Sequence, residues 1–218
     1  MSESKNPDIF LKNEISNSII MQNNEFHYSF VAFIMQPKAI RFIGKVSEIP
    51  SHFNPKRCGG ILVGNDSAGN LVFGFGLDEK TRELTDFSGR LKEKETIIQC
   101  ALREISEETL GIIRLIPSKV QNNLCICDND NLTIFIHVQI CVTAFSKEYT
   151  RRARKFVSKN TYYPEIFSTV WIPVKSMFSL LTDPRKCRQW YTRTKNFILS
   201  FPYESLFFPH LFHHFRHI

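Results

Sequence analysis

Glu104, Glu107 and Glu108 are spaced i, i+3, i+4, so on a helix their carboxylates share one face within about 100° of arc. Three carboxylates gathered in this way repel one another unless water or a cation screens them, and concentrated hard oxygen ligands suit Mg²⁺ or Mn²⁺. Alone, the same triplet also describes a solvated acidic helix face. Glu95, nine residues before Glu104, falls half a turn out of phase and reaches the same cation only from a loop ahead of the helix.

The elements that must position these side chains surround them in the sequence. Ile98, Ala101, Leu102 and Ile105 fall on one arc at 100° per residue, the period of an amphipathic helix, where the preceding segments alternate with period 2. Thr96 and Gln99 fit a capping box at its start, and Gly111 ends it in a left-handed conformation. Upstream, β-rich runs between Phe26 and Val46 are separated by Gln36-Pro37-Lys38, and a second pair, Gly60–Gly64 and Leu71–Gly76, is joined by a turn over 65–70. A charged connection, Asp78–Glu83, leads to a short apolar piece ending in Asp86-Phe87-Ser88-Gly89-Arg90. Downstream, β-rich sequence is read at Leu124–Cys127 and along Leu132–Phe145, with a strand at Ser168–Val174 and a helix from about Arg185 to Phe201. This alternation predicts a mixed sheet with helices packed on its faces.

Gly89, Glu95, Arg103, Glu104, Ile105, Glu107 and Glu108 together resemble the Nudix box: glycine, five residues, glutamate, seven residues, Arg-Glu, an aliphatic, any residue, Glu-Glu, any residue, glycine, an aliphatic. One departure is Leu110 where the pattern has glycine, with Gly111 and Ile112 displaced by one; another is Ser88, where many members carry a further glycine. The resemblance implies an α/β fold, an α/β/α sandwich with a mixed β-sheet and a loop–helix–loop motif. It implies that Glu104, Glu107 and Glu108, with a carbonyl of the Gly89 turn, bind catalytic Mg²⁺ or Mn²⁺. Arg103 would orient Glu104, and Glu95 would bind a further metal or help place water. The implied chemistry is hydrolysis of a nucleoside diphosphate linked to another group, in which cations neutralise the phosphates and acidify water. A second acidic residue outside the box acts in many members as base or ligand; Glu165, ahead of the Trp171 strand, is the candidate, with Asp128 and Asp130 as alternatives.

Twenty-eight Lys and Arg against 21 Asp and Glu give a net charge of +7, a balance that favours anionic partners. Arg151, Arg152, Arg154, Lys155 and Lys159 concentrate charge beside Tyr149, Phe156, Tyr162 and Tyr163, a pattern suited to phosphates and stacked bases and also to a solvated basic face. Arg185, Lys186, Arg188, Arg193 and Lys195, with Trp190 and Tyr191 between them, would extend that surface. His210, His213, His214 and His217 read as part of a terminal amphipathic helix more naturally than as a metal site. The six cysteines form no CxxC pair, which fits a reducing compartment, and Cys125 and Cys127 are placed on opposite faces of their strand.

No apolar run approaches the ~18 residues a spanning helix requires, and no secretion signal is read, so the chain is expected to be intracellular and cytoplasmic, without a membrane partner. Its expected parts are a polar lead-in over 1–25, a hydrolase domain over 26–181 and a helical extension over 182–218. Among substrates implied by the resemblance, the basic surface favours the 5′ cap of mRNA, with release of m7GDP, since decapping members pair the box with an RNA-binding surface. Free nucleotides such as ADP-ribose, dinucleoside polyphosphates or oxidised nucleoside triphosphates form the alternative class. A non-catalytic RNA-binding module is the third, disfavoured by the presence of all four box glutamates.

Overall fold

Strand pairing begins with a hairpin of β1 (Ala32–Gln36) and β2 (Ala39–Lys45), in which Ala32 faces Ile43. The computed structural model describes residues 32–36, 39–139, 141–160 and 163–174, then single residues and short runs as far as Thr194. β3 (Arg57–Asn65) and β4 (Leu71–Asp78) form the second expected hairpin. Asp66 closes its turn, one carboxylate oxygen accepting from the amides of Ala68 and Asn70 at 2.9 and 2.8 Å. β5 (Leu84–Thr85) and β6 (Phe87–Arg90) then lead into α1 (Ile97–Glu108). β7 (Leu124–Cys127), β8 (Asn131–His137), α2 (Val142–Lys159) and β9 (Ile166–Pro173) follow.

These strands make one mixed sheet in the order β1-β2-β7-β8-β3-β4-β5, with β6 paired to β3 and β9 to β4. β3 is its axis: β8 runs parallel to it on one edge, while β6 and β4 pair antiparallel with its first and second halves. Alternation along the strands sorts two cores. Cys58, Leu62, Leu132, Ile134 and Ile136 face a cluster shared with α1 and α2, whereas Ile61, Val63, Phe73 and Phe135 face the other side. There Val174, Met177, Leu180 and Trp190 cover the sheet, and residues 174, 176, 177 and 180 are helical. Helical residues thus cover both faces of a mixed sheet, as expected.

The structure corrects three expectations. The apolar stretch Leu132–Phe145 is not one β-rich run: β8 stops at His137, and α2 begins at Val142 behind an N-cap at Cys141 whose sulfur accepts from the Ala144 amide. Val142, Phe145 and Tyr149 recur at helical spacing and are the residues α2 buries. Arg185–Gln189 forms a turn and a 3₁₀ segment at Cys187–Gln189 instead of the start of an α-helix. Cys125 and Cys127, two residues apart, share a face of β7 and are both buried. Residues 1–25 and His210, His213, His214 and His217 lie outside the described residues. Among the described residues no helix is long and apolar enough to cross a membrane.

Candidate active site

α1 starts where the local chemistry directs it. Thr96 Oγ1 accepts from the Gln99 amide at 3.2 Å and Gln99 returns a carbonyl oxygen to the Thr96 amide at 2.9 Å. Cys100, Ala101, Leu102 and Ile105 are buried, and this turns Glu104 and Glu108 toward the edge where β6 meets β3. The exit is tighter than a single glycine would make it, since Leu110 and Gly111 both adopt positive φ, 53° and 71°. A left-handed non-glycine residue costs roughly 1 kcal/mol, and Arg152 holds the strained turn by donating to the Leu110 carbonyl at 2.9 Å. The displaced glycine thus falls in the exit turn, downstream of the carboxylates.

A cleft of about 300 Å³ lies beside α1, lined by Arg57, Asp78, Thr85, Ser88, Gly89, Arg90, Glu104, Glu108, Glu165 and Ile166. Four expected site residues, Gly89, Glu104, Glu108 and Glu165, thus meet there although Glu165 comes from the far end of the domain. Gly89 is needed for the packing: a Cβ at that position would stand 2.0 Å from a Glu104 carboxylate oxygen. The backbone of Glu165 is pinned, its carbonyl accepting from the Glu79 amide at 2.8 Å. Its neighbour Phe167 lies under the Arg82 guanidinium, 4.5 Å from the ring centroid.

Arg103 organises the acidic side chains next to the cleft. Its Nε and Nη2 donate to the two Glu95 oxygens at 2.8 and 3.0 Å, and its Nη1 donates to Glu104 at 2.5 Å and to Glu107 at 3.1 Å. Glu95 does stand in the loop before Thr96, and in this structure its carboxylate is spent on Arg103. That guanidinium holds the Glu95 carboxyl below the usual carboxylate range. Glu107 is exposed and faces away from the cleft, into a neighbouring groove.

Glu108 has the opposite environment. Burial first, then the charges of Asp86, Glu104 and Glu165, push its carboxyl well above the usual range, while the Ser88 amide pulls the other way. Its Oε2 is buried without a hydrogen-bond partner. Among the described residues no three His, Cys, Asp or Glu side chains are already closed around a point. The donors nevertheless fit a hard cation: an orphaned buried carboxylate oxygen, Glu104 against Gly89, and Glu165 on the same cleft, all oxygen ligands. Glu104, Glu108, Glu165 and the Gly89 carbonyl are the groups that would hold Mg²⁺ or Mn²⁺, with Glu107 reaching them only by leaving Arg103.

Three contributors were not visible in the sequence. Arg57 places a cation in the cleft, donating from Nη2 to the Ser88 carbonyl at 2.8 Å and leaving Nε without a partner. Tyr149 joins the two halves of the site, its hydroxyl within hydrogen-bonding distance of the Ile166 carbonyl at 2.8 Å and the Glu108 carbonyl at 3.2 Å. Asp86 is buried and accepts from Thr194 at 2.7 Å. Only the helical spacing of Tyr149 with Val142 and Phe145 hinted at one of them. Asp128 and Asp130 are engaged elsewhere, with Arg41 at 3.1 Å and Lys56 at 3.2 Å.

The basic run divides on α2. Arg151 and Arg152 both pair with Glu148, at 2.7 and 2.6 Å. Arg152, Lys155 and Lys159 line the groove that Glu107 borders, whereas exposed Arg151 and Arg154 do not. Tyr149 and Trp190, read beside the basic residues as stacking partners, are buried and unavailable to a base.

No family model and no curated protein matches this chain. Among solved structures it is similar to a Caenorhabditis elegans Ap4A hydrolase in a binary complex, at 13% identity over 66% of this chain and 97% of that one, with a TM-score of 0.36. A second structure of C. elegans Ap4A hydrolase shares 10% identity over 68% and 100%, TM-score 0.34. A structure described as a Nudix hydrolase from Listeria monocytogenes shares 14% over 67% and 96%, TM-score 0.32. Scores of this size leave the functional reading to the chain's own residues.

Proposed function

We propose that this protein is a divalent-cation-dependent Nudix hydrolase that cleaves a pyrophosphate linkage in a nucleoside diphosphate derivative. The observation that carries the reading is the cleft in which Glu104, Glu108 and Glu165 meet at Gly89, with one buried Glu108 oxygen left unpaired. Mg²⁺ or Mn²⁺ there supplies charge for the phosphates and acidifies water. Glu104 and Glu108 provide ligands, Arg103 keeps Glu104 turned toward Gly89, and Glu165, exposed at the cleft rim, is placed to accept a proton from water. Arg57 neutralises a phosphate oxygen inside the cleft.

The favoured substrate is the 5′ cap of mRNA, supported by the uncompensated cations of α2 next to the site. Free nucleotides are the second reading, supported by Arg57, a cation within the cleft that a small diphosphate can use without any outer surface. The test is incubation with cap-labelled RNA and, in parallel, ADP-ribose, dinucleoside polyphosphates and oxidised nucleoside triphosphates, each with Mg²⁺ or Mn²⁺. A Glu108→Gln protein and a chelator serve as controls. Release of m7GDP that the variant and the chelator abolish supports decapping. Turnover of a free nucleotide alone moves the assignment to the second class, and absence of metal-dependent turnover on every substrate contradicts the hydrolase reading.

A further inference from the structure

A single residue, Asp86, separates β5 from β6, and the carboxylate cleft is built on the short corner it makes. The Ser88 amide that bonds Glu108, the Ser88 carbonyl that accepts from Arg57, and Gly89 all follow Asp86 directly in the chain. The corner is held by a residue far along the sequence. Thr194, 1% exposed, donates its hydroxyl to an Asp86 carboxylate oxygen at 2.7 Å, and the Asp86 amide donates back to that hydroxyl at 3.4 Å. Thr85 Oγ1 lies 3.5 Å from the same hydroxyl and donates to the Asp86 carbonyl at 3.2 Å. The chain arrives there through Trp190, which forms a parallel bridge with Leu84 and packs on Phe75.

Asp86 and Thr194 are buried, and neither lines the cleft. Such a pair is a poor device for stability alone, because replacing both members by apolar groups of the same shape can be nearly neutral or stabilising. Its place beside the ligands gives it another use: among the charges acting on the Glu108 carboxyl, that of Asp86 comes first. We propose that Asp86 and Thr194 are positioning residues for the divalent cation. The Thr194 hydroxyl fixes Asp86, and Asp86 fixes the corner that sets the Gly89 turn against Glu104 and the Ser88 amide against Glu108. The segment around Thr194 is thereby part of the cation site, although it supplies no ligand. The inference rests on the reading of the cleft as that site.

The test is isothermal titration of Mn²⁺ into the full-length protein, with each variant shown to be folded by circular dichroism. Thr194→Val keeps the shape and removes the hydroxyl; it is expected to weaken Mn²⁺ binding at least about tenfold, as loss of a group that orients metal ligands does. Thr194→Ser keeps the hydroxyl and is expected to bind within about twofold of the wild type. Val174→Ala opens a cavity in the cluster that holds Trp190 and removes no hydrogen bond; it is expected to lower the melting temperature and leave Mn²⁺ affinity unchanged. Asp86→Asn is expected to weaken binding as well, and its combination with Thr194→Val to lose no more than the more affected single variant, since both act through one bond. Wild-type affinity in Thr194→Val, an equal loss in Val174→Ala or Thr194→Ser, or additive losses in the double variant overturns the proposal. A wild type that binds no Mn²⁺, or binds it no better than Glu108→Gln does, sinks the cation site and this inference with it. Binding that needs both Glu108 and Thr194, without metal-dependent turnover, sinks the hydrolase reading alone.

Discussion

Glu108 and Glu95 answer to the same helix and titrate in opposite senses. The carboxyl of half-buried Glu108 is tucked among carboxylates and held above the usual range, so the folded protein keeps a proton there that the unfolded chain releases. Without metal, that linkage makes stability fall as pH rises from the usual carboxylate range toward the raised folded value. Glu108→Gln removes the penalty: the variant is expected to melt above the wild type at neutral pH in EDTA, whereas Mn²⁺ is expected to raise the wild type and leave the variant unmoved. A variant melting at or below the wild type across the pH range would contradict this account of Glu108. Glu95, held low by Arg103, contributes stability above the usual carboxylate range that is lost as pH falls through its folded value. Gly89→Ala puts a methyl group where the Glu104 carboxylate sits. Turnover is expected to drop at least a hundredfold with the circular dichroism spectrum unchanged, and wild-type turnover in the alanine variant would show that Glu104 does not act from that position.

At the scale of elements, the site depends on three pieces that do not adjoin in sequence: the β6 turn, α1, and the start of β9. Tyr149 of α2 ties the last two through the carbonyls of Glu108 and Ile166. Tyr149→Phe leaves buried carbonyl capacity unmet, which costs about 1–3 kcal/mol. It is also expected to weaken Mn²⁺ binding several-fold by isothermal titration, an effect that loss of packing alone would not give because the ring remains. Unchanged Mn²⁺ affinity would restrict Tyr149 to a role in stability. The capping box offers a milder test: Thr96→Ala is expected to lower stability by ~1 kcal/mol in urea unfolding, and no change would mean that tertiary packing alone fixes the start of α1. What was legible here followed local rules. α1 was readable because its cap, its 3.6 period and its terminal glycine all lie within one short segment. The boundary between β8 and α2 was not, because apolar residues run through it and a short apolar run does not distinguish a strand from a buried helix segment. The cysteine N-cap at Cys141 gave no conventional start signal.

Over the whole molecule, the mixed sheet was visible in the alternation of patterns, but the meeting of Arg57, Tyr149 and Glu165 at one cleft depends on long-range pairing. Arg57 arrives through the register that sets it opposite Arg90, and Glu165 through the antiparallel pairing of β9 with β4. The C-terminal segment also belongs to this assembly. Trp190 packs edge-on against Phe75 at 4.9 Å, and Thr194 donates to buried Asp86 beside β5. Trp190→Ala is expected to destabilise the protein by about 3–5 kcal/mol in urea unfolding, as loss of a large buried ring does. A loss below about 1 kcal/mol would mean that this segment is not part of the cooperative unit. The central claim is that the carboxylates gathered at Gly89 hold the catalytic cation. It is met most directly by a crystal structure of the protein soaked in Mn²⁺ and measured at the manganese edge. The account predicts anomalous density in the cleft within ligand distance of Glu104 and Glu108, absent from a Glu108→Gln crystal; density only elsewhere, or none with the cleft open to solvent, would contradict it.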